Sequence, residues 1–517
     1  MRMDVETSVT SRMLAPWMLV LAFLPAVAAD TGETGVHGHT PEGYVWPTEK
    51  AVLENIERFR DMKLGLMMHF GIYAQAGIGE SWPLVDTAEG LARTMTDMGE
   101  GDEFKRNYWN LSRSFNPVRY DPKVWARTAA RNGFKYLCFT SKHHDGFCMW
   151  DTKFSDYKVT SPDCPYSRSK RPDILRATYD AFRAEGLAIT LYFSKGDWHH
   201  PDYWDNQGIG FRTTWMPSYE PGEHPERWQR FKEFTWNQIL ELVRNYGRFE
   251  VLWLDCSAVD SRKSTNIDVP GLLDECRKTQ PWLIGADRCI GGRAENLLTP
   301  EQCVPPEPLA CPWESCVTMT SSWSYRYDDT YKSVKELIDL LVGIVAKGGC
   351  LVLNVAPRPD GCIPGPALER MNAIGDWLRR HGEAIYGTRP VPPYESGVWA
   401  FTQKNGVVYA IRKARSATPV HQVVIPARAF DREIVRVTHL ASGRAFQVTR
   451  IPEGWKVSFP ADVTADAYAG SVCIESDDPD LLLSDNFFSM NPGEKHIKCL
   501  RGRLDGLKVR SVWDIDR

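Results

Sequence analysis

The 517-residue chain lacks the excess of basic residues that is typical of nucleic-acid-binding proteins. Its 62 Lys and Arg residues are balanced by 66 Asp and Glu residues, so the formal net charge is −4 at pH 7. Because clustered positive charge supplies most of the affinity for polyanions, we expect no nucleic-acid partner. Apolar runs of membrane-spanning length are lacking too. The run at residues 13–27 is shorter than the roughly 20 residues that a spanning helix needs, so we expect no retained membrane anchor.

That short apolar run has the flanks of a secretion signal. Arg2 and Arg12 precede it, and the small residues 26–29 end it just before Asp30. A positive segment, a short apolar core and a small-residue cleavage site are the parts of a signal peptide. The sequence therefore predicts a signal peptide over residues 1–29 and an exported protein, secreted, periplasmic or in a lysosome-like compartment.

The cysteines lack the regular spacing of a small disulfide-stapled scaffold. There are 13 of them, an odd number, so we expect at least one reduced thiol. Cys303, Cys311 and Cys316 cluster, but no fourth residue stands at zinc-ligand spacing. A local disulfide and buried thiols are the two interpretations that remain for this cluster.

A glycine-rich phosphate loop is also absent after every predicted strand, which disfavours an open doubly wound nucleotide-binding sheet. Instead, short β-rich apolar runs alternate with amphipathic helices, a pattern typical of parallel strands with helical crossovers. Strands are predicted at residues 64–70, 136–140, 188–192, 251–255, 283–285 and 351–354. Helices are predicted at residues 123–131, 172–184, 227–246 and 333–347, the last with Ser333 and Glu336 at capping-box spacing. After a linker over residues 30–46, we expect a (β/α)8-like barrel over residues 47–390.

Beyond residue 390 the pattern changes to alternating apolar and polar residues. Such runs stand at residues 407–411, 423–425 and 433–437, separated by turn residues. They predict a C-terminal β-sandwich domain over residues 391–517, with closing strands from the tail at 481–517. Because this region has no cluster of His and carboxylates, we expect it to support the barrel and not to catalyse.

Polar residues follow five of the predicted barrel strands, where a parallel barrel carries its reactive groups. They are His69, residues 142–145, residues 194–200, Asp255 and residues 287–288. Strand periodicity puts Trp253 and Asp255 on one face, so a carboxylate would lie beside an aromatic wall. That placement suits a nucleophile, although a helix cap or an ion pair to arginine is a common use of Asp.

Adjacent histidines follow the second predicted strand. His143 and His144 beside Asp145 suggest metal ligands, but neighbours on a strand point to opposite faces and no metalloprotease or facial-triad pattern is present. We therefore expect no metal and no cofactor, and hydrogen bonds to a polyhydroxylated ligand instead. The 19 Trp and 19 Tyr residues agree with that ligand, because flat aromatic faces stack on sugar rings.

Nine motifs of the barrel region follow one another in a familiar order. They are LMMHFGI (66–72), FNP (115–117), FTSKHHDGF (139–147), LWLD (252–255), DR (287–288), WESC (313–316), SWSY (322–325), LNVAP (353–357) and GEAIY (382–386). In these motifs the chain resembles the α-L-fucosidases, family 29 of the glycoside hydrolases. It departs from their common pattern at a few positions, such as Cys256, where Gly is usual after the nucleophile.

The resemblance implies a function and a set of site residues. It implies an exo-acting retaining hydrolase of terminal α-L-fucose on glycans, with a distorted barrel, a C-terminal β-domain and Asp255 as the nucleophile. Two positions match the acid/base of different members, Glu301, which we favour, and Glu314. The residues expected to bind fucose are His69, His143, His144, Trp253 and Arg288, with Tyr192, Glu80 and Trp82 as further candidates.

Three alternatives stand beside this interpretation. One is a catalytically silent fucose-binding protein, which the presence of Asp255, Glu301 and Glu314 disfavours. Another keeps the mechanism but takes a related sugar such as an α-L-galactoside. The third is a metal-dependent hydrolase that uses His143 and His144. The sequence does not reveal an oligomeric state.

Overall fold

The structure is a computed structural model that describes residues 44–85, 96–205, 214–413, 422–426 and 434–459, and the backbone of residues 471–476. The predicted signal peptide, most of the predicted linker and the tail at 481–517 lie outside these ranges. Within them, no helix is both long enough and apolar enough to cross a bilayer.

Seven parallel strands form the sheet of the first region. They are β1 (Leu64–Met68), β2 (Tyr136–Thr140), β3 (Ala188–Ser194), β4 (Val251–Asp255), β5 (Ile284–Ala286), β6 (Glu314–Thr318) and β7 (Cys350–Asn354). They pair in the order β5-β4-β3-β2-β1-β7-β6. The six predicted strands agree with this set to within two residues at each end. The sequence prediction missed β6, which has the polar composition ESCVT.

The segment 296–302 closes this sheet between β5 and β6. On one side Asn296 and Leu297 donate backbone hydrogen bonds to the carbonyl oxygen of Gly285 in β5, at 2.8 and 3.2 Å. On the other side the segment runs parallel to β6, and Glu314 N donates to Leu298 O at 2.9 Å. The expected barrel is therefore present, with an irregular segment in the place of its eighth strand.

The two faces of the barrel strands carry different cores. Alternate residues fill the lumen, among them Met67, Cys138, Tyr192, Trp253, Ala286, Cys316 and Val352. The residues between them face the helices, among them Leu66, Phe139, Leu191, Leu252, Val317 and Leu353. This is the period-2 alternation of a strand. Gly65 fits it because a Cβ there would lie 2.1 Å from the ring of Tyr136, which crosses the lumen.

Eight helices accompany the strands in the described ranges. They are α1 (Lys50–Met62), α2 (Gly101–Trp109), α3 (Pro122–Arg131), α4 (Ile174–Ala184), α5 (Pro225–Asn245), α6 (Val269–Arg277), α7 (Val334–Ala346) and α8 (Gly365–His381). The four predicted helices match α3, α4, α5 and α7 to within two residues. The capping box is confirmed, since Ser333 Oγ accepts from Glu336 N and the Glu336 carboxylate accepts from Ser333 N.

Helix α1 covers the amino-terminal end of the barrel. Its apolar face, Val52, Ile56 and Phe59, packs into the lumen core. Asn55 Nδ2 donates to the carbonyl oxygens of Glu250 and Trp282, at 3.0 and 2.9 Å. Helix α1 thus covers the lumen at this end.

The second region is an antiparallel eight-stranded sheet. Its strands are β8 (Arg389–Ser396), β9 (Trp399–Lys404), β10 (Val407–Arg412), β11 (Gln422–Pro426), β12 (Ile434–His439), β13 (Ala445–Ile451), β14 (Gly454–Ser458) and β15 (Ser471–Ser476). They pair in the order β11-β14-β13-β12-β15-β10-β9-β8 around an apolar core of their own. This is the expected C-terminal β-domain, and three of its strands match the three predicted runs.

Strands β9 and β10 join the two regions. Ala400, Tyr409 and Ile411 belong to the core of the barrel and its helices. Their neighbours Phe401 and Val408 belong to the second core. The two strands are therefore buried on both faces, and the second sheet shares its apolar contacts with the barrel.

Candidate active site

A pocket opens at the carboxyl end of the barrel strands. It holds about 380 Å³ of empty space, part of it open to solvent. Its lining includes ten of the eleven residues predicted for the site, namely His69, Glu80, Trp82, His143, His144, Tyr192, Trp253, Asp255, Arg288 and Glu301. Met67, Cys316 and Trp323 complete it. Met67 and Cys316 were not predicted, although their alternation with His69 and Glu314 places them in the lumen.

Asp255 ends β4 inside this pocket and is held from three sides. Its Oδ1 lies 3.1 Å from Arg288 Nε and accepts from the backbone N–H of Cys256 at 2.8 Å. Its Oδ2 accepts a hydrogen bond from the hydroxyl of Tyr192. Burial alone would raise the pKa of Asp255, but the Arg288 guanidinium and the neighbouring His144 and this hydrogen bond hold it well below its usual value. Asp255 is thus an ionised carboxylate with a fixed orientation.

Arg288 joins the two candidate catalytic carboxylates. Besides Asp255, its guanidinium pairs through Nη2 with Glu301 Oε2. It also reaches the carbonyl oxygen of Thr299 at 3.4 Å and lies over the ring of Trp253 at 4.8 Å. Its side chain is only 7% exposed. One buried cation therefore holds Asp255 and Glu301 close to each other in the pocket.

Three histidines face the same space as neutral bases. Burial lowers the pKa of His69 and His144 to about 4. Burial and the neighbouring His144 hold the pKa of His143 well below its usual value. Near neutral pH the pocket therefore presents uncharged imidazoles, which bind hydroxyl groups without adding positive charge.

Hydrogen bonds fix the proton of His69. The Asn354 amide donates through Nδ2 to the carbonyl oxygen of Trp323 at 2.6 Å, which turns its oxygen toward His69. His69 Nδ1 donates to that oxygen at 2.8 Å. In the neutral ring the other nitrogen, Nε2, is then an acceptor.

His144 is fixed in the same way. Ser194 donates its hydroxyl proton to the carbonyl oxygen of Gly196 at 2.7 Å, so its oxygen accepts from His144 Nδ1 at 2.6 Å. His144 Nε2 lies 3.8 Å from Asp255 Oδ2. The unprotonated Nε2 atoms of His69 and His144 are thus acceptors for ligand hydroxyl groups.

Aromatic rings form the walls. Tyr192 stacks on Trp253 with ring centroids 5.2 Å apart, and Trp323 lies 5.2 Å from the ring of His69. Trp82 meets His144 edge to face at 5.4 Å. Flat apolar faces beside hydrogen-bonding groups match the alternating apolar and hydroxyl surfaces of a sugar ring.

Glu80 is a second kind of carboxyl group in the pocket. It is 6% exposed, and burial raises its pKa to about 7, with the charge of Glu301 adding to the rise. At mildly acidic pH, below about 7, Glu80 therefore holds a proton while Asp255 does not. The pocket contains carboxyl groups whose environments push their pKa values apart, a feature of acid/base sites.

The two acid/base candidates occupy different places. Glu301 lines the pocket and its side chain is 22% exposed. Glu314 begins β6 and is not part of the pocket lining, and it is completely buried. Its Oε2 accepts from the hydroxyl of Tyr136, and burial raises its pKa to about 7. Glu314 is thus a residue of the barrel lumen beneath the site.

Buried ion pairs hold the loops behind the pocket. Lys142 Nζ lies 2.9 Å from Asp197 Oδ2, and both side chains are at most 3% exposed. Lys195 pairs with Asp287 in the same way. A buried charge that loses its partner is costly, so these pairs fix the positions of the strand ends that carry His143 and Arg288.

Three residues of the pocket have the types and the spacing of metal ligands. His143, His144 and Asp255 offer ligand atoms within 4.8 Å of one another, and no other such group was found among the described residues. The Arg288 guanidinium, 3.1 Å from Asp255, would face any cation bound there. The donor set therefore fits hydrogen bonding to a neutral ligand better than it fits a metal.

Comparisons with known proteins point in one direction. A family model described as Alpha-L-fucosidase matches residues 35–383. An α-L-fucosidase of Branchiostoma floridae is 29% identical over 377 residues, which cover 68% of this chain and 78% of the relative. The solved structure of α-L-fucosidase isoenzyme 1 from Paenibacillus thiaminolyticus is 29% identical and superposes with a TM-score of 0.69, over 83% of this chain and 100% of that one.

A further solved structure is a trapped covalent intermediate of a family-29 α-L-fucosidase from Bacteroides thetaiotaomicron, in complex with 2-fluoro-fucosyl fluoride. It is 25% identical, with a TM-score of 0.67 over 85% of this chain and 98% of that one. The family model covers well over half of the chain, and the fold and the pocket agree with it. The chain therefore belongs to the α-L-fucosidase family, family 29 of the glycoside hydrolases.

Proposed function

We propose that this family member is an exported, retaining exo-α-L-fucosidase in which Asp255 is the nucleophile and Glu301 the acid/base. The observation that carries the proposal is the pair of carboxylates bound to one buried Arg288 in the pocket at the carboxyl end of the barrel strands. A retaining glycosidase needs a nucleophile and a proton donor close together on the two sides of the scissile bond. A guanidinium shared by Asp255 and Glu301 keeps them at such a short separation.

Asp255 has the properties of the attacking group. It stays ionised because its pKa is held well below the usual value, and its Oδ1 and Oδ2 are aimed by Arg288, Cys256 and Tyr192. Attack of one carboxylate oxygen on the anomeric carbon forms a fucosyl ester and releases the leaving oxygen. The covalent intermediate trapped in the relative from Bacteroides thetaiotaomicron supports the same chemistry here.

Glu301 is the acid/base because it can reach the substrate. It lines the pocket and is partly exposed, whereas Glu314 lies under the pocket floor. A general acid must lie within hydrogen-bonding distance of the leaving oxygen, either directly or through one water molecule. In its protonated form Glu301 would donate to that oxygen, and the carboxylate that results, which pairs with Arg288, would then activate the water that hydrolyses the ester.

The remaining lining selects the sugar. Neutral His69, His143 and His144 bind hydroxyl groups, and Trp253 and Trp323 supply apolar faces. The pocket ends in the barrel lumen above Met67 and Cys316, which suits the binding of a terminal sugar. The substrate is then a fucosylated glycan cleaved from its end. Fucose carries a methyl group at C5, and the α-L-galactosides carry a hydroxymethyl group there. The pocket lining must distinguish these two groups to select fucose.

The test uses residues 30–517 and an aryl α-L-fucoside. We expect hydrolysis by the parent chain and at least a thousandfold loss of kcat in Asp255→Asn, because the nucleophile is removed while the side-chain shape is kept. The first-formed fucose should have the α configuration by NMR. A folded parent that binds fucose without turnover would support the silent binding protein instead. Loss of activity with a chelator, restored by zinc, would support the metal-dependent hydrolase.

The acid/base assignment has its own test. In Glu301→Gln, kcat/KM should fall about 100-fold or more on substrates with a poor leaving group. It should fall much less on an activated aryl fucoside, because that leaving group departs without being protonated. Glu314→Gln is the matched control and should stay within about tenfold of the parent on both. The reverse pattern would assign the role to Glu314. Export is tested separately, by N-terminal sequencing of the secreted chain, which should begin near Asp30.

A further inference from the structure

The mouth of the pocket is lined by the residues that are partly exposed to solvent. Most lining residues are buried, but Trp82, Asp255, Glu301 and Trp323 are partly exposed. Solvent therefore enters between Trp82 on one loop and Glu301 and Trp323 on others. In the proposed reaction the bond to be broken lies between Asp255 and Glu301, so the leaving group must extend through this mouth.

An exposed tryptophan stands directly outside it. The indole of Trp215 lies 6.5 Å from that of Trp82, centroid to centroid, and Trp215 does not line the pocket itself. Trp215 is 37% exposed, and no other tryptophan in the described parts of the chain is as open to solvent. An apolar ring left in water beside a ligand pocket suggests a surface that a ligand covers.

The backbone under Trp215 is held rigidly. Its carbonyl oxygen accepts from Tyr203 at 2.8 Å and from the indole of Trp198 at 3.4 Å. The next residue, Met216, accepts from the indole of Trp204 at 3.0 Å. Trp198 in turn packs against Trp82 at 5.5 Å and stacks on Trp204 at 5.0 Å. The backbone that carries the exposed ring is therefore held in place beside Trp82.

We propose that Trp215, together with the outer edge of Trp82, is a stacking platform for the sugar that leaves with the glycosidic oxygen. The ligand is a pyranose ring with an apolar face, linked to the fucose in the pocket. This inference rests on the proposed function, and it adds a binding site for the leaving-group sugar. Stacking covers apolar surface on both partners and favours glycans over fucosides with small leaving groups.

The experiment compares two substrates that share the fucose. One is a fucosylated disaccharide, and the other is α-L-fucosyl fluoride, whose leaving group is too small to reach Trp215. For Trp215→Ala we expect kcat/KM to fall about tenfold on the disaccharide and to change less than about twofold on the fluoride. Trp215→Phe keeps an aromatic face and should recover part of the loss.

Tyr327 supplies a matched control. It is 60% exposed and belongs to another loop, where its ring lies beside Gly77. Tyr327→Ala should leave kcat/KM unchanged for both substrates. An equal fall of kcat/KM on both substrates in Trp215→Ala would indicate a structural effect and would disprove the platform. A fall of kcat/KM on the disaccharide in Tyr327→Ala alone would disprove it too. A parent chain that does not turn over the fluoride would instead contradict the proposed fucosidase chemistry itself.

Discussion

At the residue scale, the catalytic candidates share a backbone feature. Cys256 directly follows Asp255 and has φ 74°, Arg288 has φ 53°, and Gln302 directly follows Glu301 and has φ 54°. Residues with a Cβ pay about 1–2 kcal/mol for this left-handed conformation. Such strain collects at functional sites, where the surrounding structure holds it. Here the left-handed residues turn the chain just where each charged side chain must point into the pocket.

Glu314 gives a prediction about pH. Burial raises its pKa from 4.5 to about 7, so between these values the folded chain holds a proton that the unfolded chain has lost. Stability should therefore fall as pH rises through this window. Glu314→Gln cannot ionise, and it should match the parent at pH 4.5 and exceed it by up to about 3 kcal/mol at pH 8. Urea unfolding at both pH values measures this.

The control for that experiment is Glu369→Gln, an exposed change on α8. As a surface change, it should alter the free energy of unfolding by less than about 0.5 kcal/mol at both pH values. A Glu314→Gln variant that is less stable than the parent at pH 8 would contradict the prediction. It would mean that the ionised carboxylate is stabilised in the lumen.

At the same scale, the sequence predicted identities better than roles. The motifs and the resemblance to the family together selected ten residues that the fold brings into one pocket. They did not show which of Glu301 and Glu314 is the acid/base. Glu301 lies in the irregular segment before β6 and Glu314 begins β6, a strand that the apolar pattern did not reveal. Only the register of segment 296–302 against β6 puts Glu301 at the pocket and Glu314 below it.

At the element scale, α7 has the clearest local signal. Ser333 and Glu336 form a capping box at its start, and nine of its residues are buried. Ser333→Ala removes the acceptor for Glu336 N and should lower the free energy of unfolding by about 1 kcal/mol. Thermal unfolding should show a decrease in Tm of a few degrees.

Two variants control this prediction. Ser333→Thr keeps the hydroxyl and should retain most of the stability, and Lys335→Ala, an exposed change on the same helix, should have little effect. Equal losses in Ser333→Ala and Ser333→Thr would show that the cap does not stabilise α7.

The sequence analysis did not predict the strand that has no apolar pattern. Strand β6 reads ESCVT and is nevertheless fully buried, and polar side chains in it bind residues elsewhere in the chain. Ser315, for example, donates to the carbonyl oxygen of Cys303 at 2.6 Å. A pattern based on hydrophobicity does not register a strand whose polar groups are satisfied by distant residues.

At the scale of the whole molecule, the second sheet packs against the barrel and its helices. Thr402 Oγ1 donates to the carbonyl oxygen of Ala384, and Tyr409 donates to Glu383, at 2.8 and 2.9 Å. Lys347 at the end of α7 pairs with Glu395 in β8 at 3.2 Å. Hydrogen bonds, an ion pair and apolar contacts thus link the two regions.

A prediction follows for the apolar part of this interface. Ile411 is fully buried in the barrel-side core, so Ile411→Ala should cost about 2–4 kcal/mol and lower the midpoint of unfolding. Val424→Ala is the control, because Val424 is 37% exposed in β11 and its truncation should change stability by less than about 0.5 kcal/mol. Equal effects of the two changes would indicate that the sheet does not support the barrel.

The sequence by itself determined the alternation of strands and helices, the change of texture near residue 390 and the polar residues at the strand ends. These depend on local periodicity and on the residue types that the chemistry needs, which a linear sequence records. The tertiary structure decided how the barrel closes, which glutamate reaches the pocket and where Trp215 stands beside Trp82. Those features depend on residues far apart in the chain, because hydrogen-bond register and side-chain packing across the barrel exist only after folding.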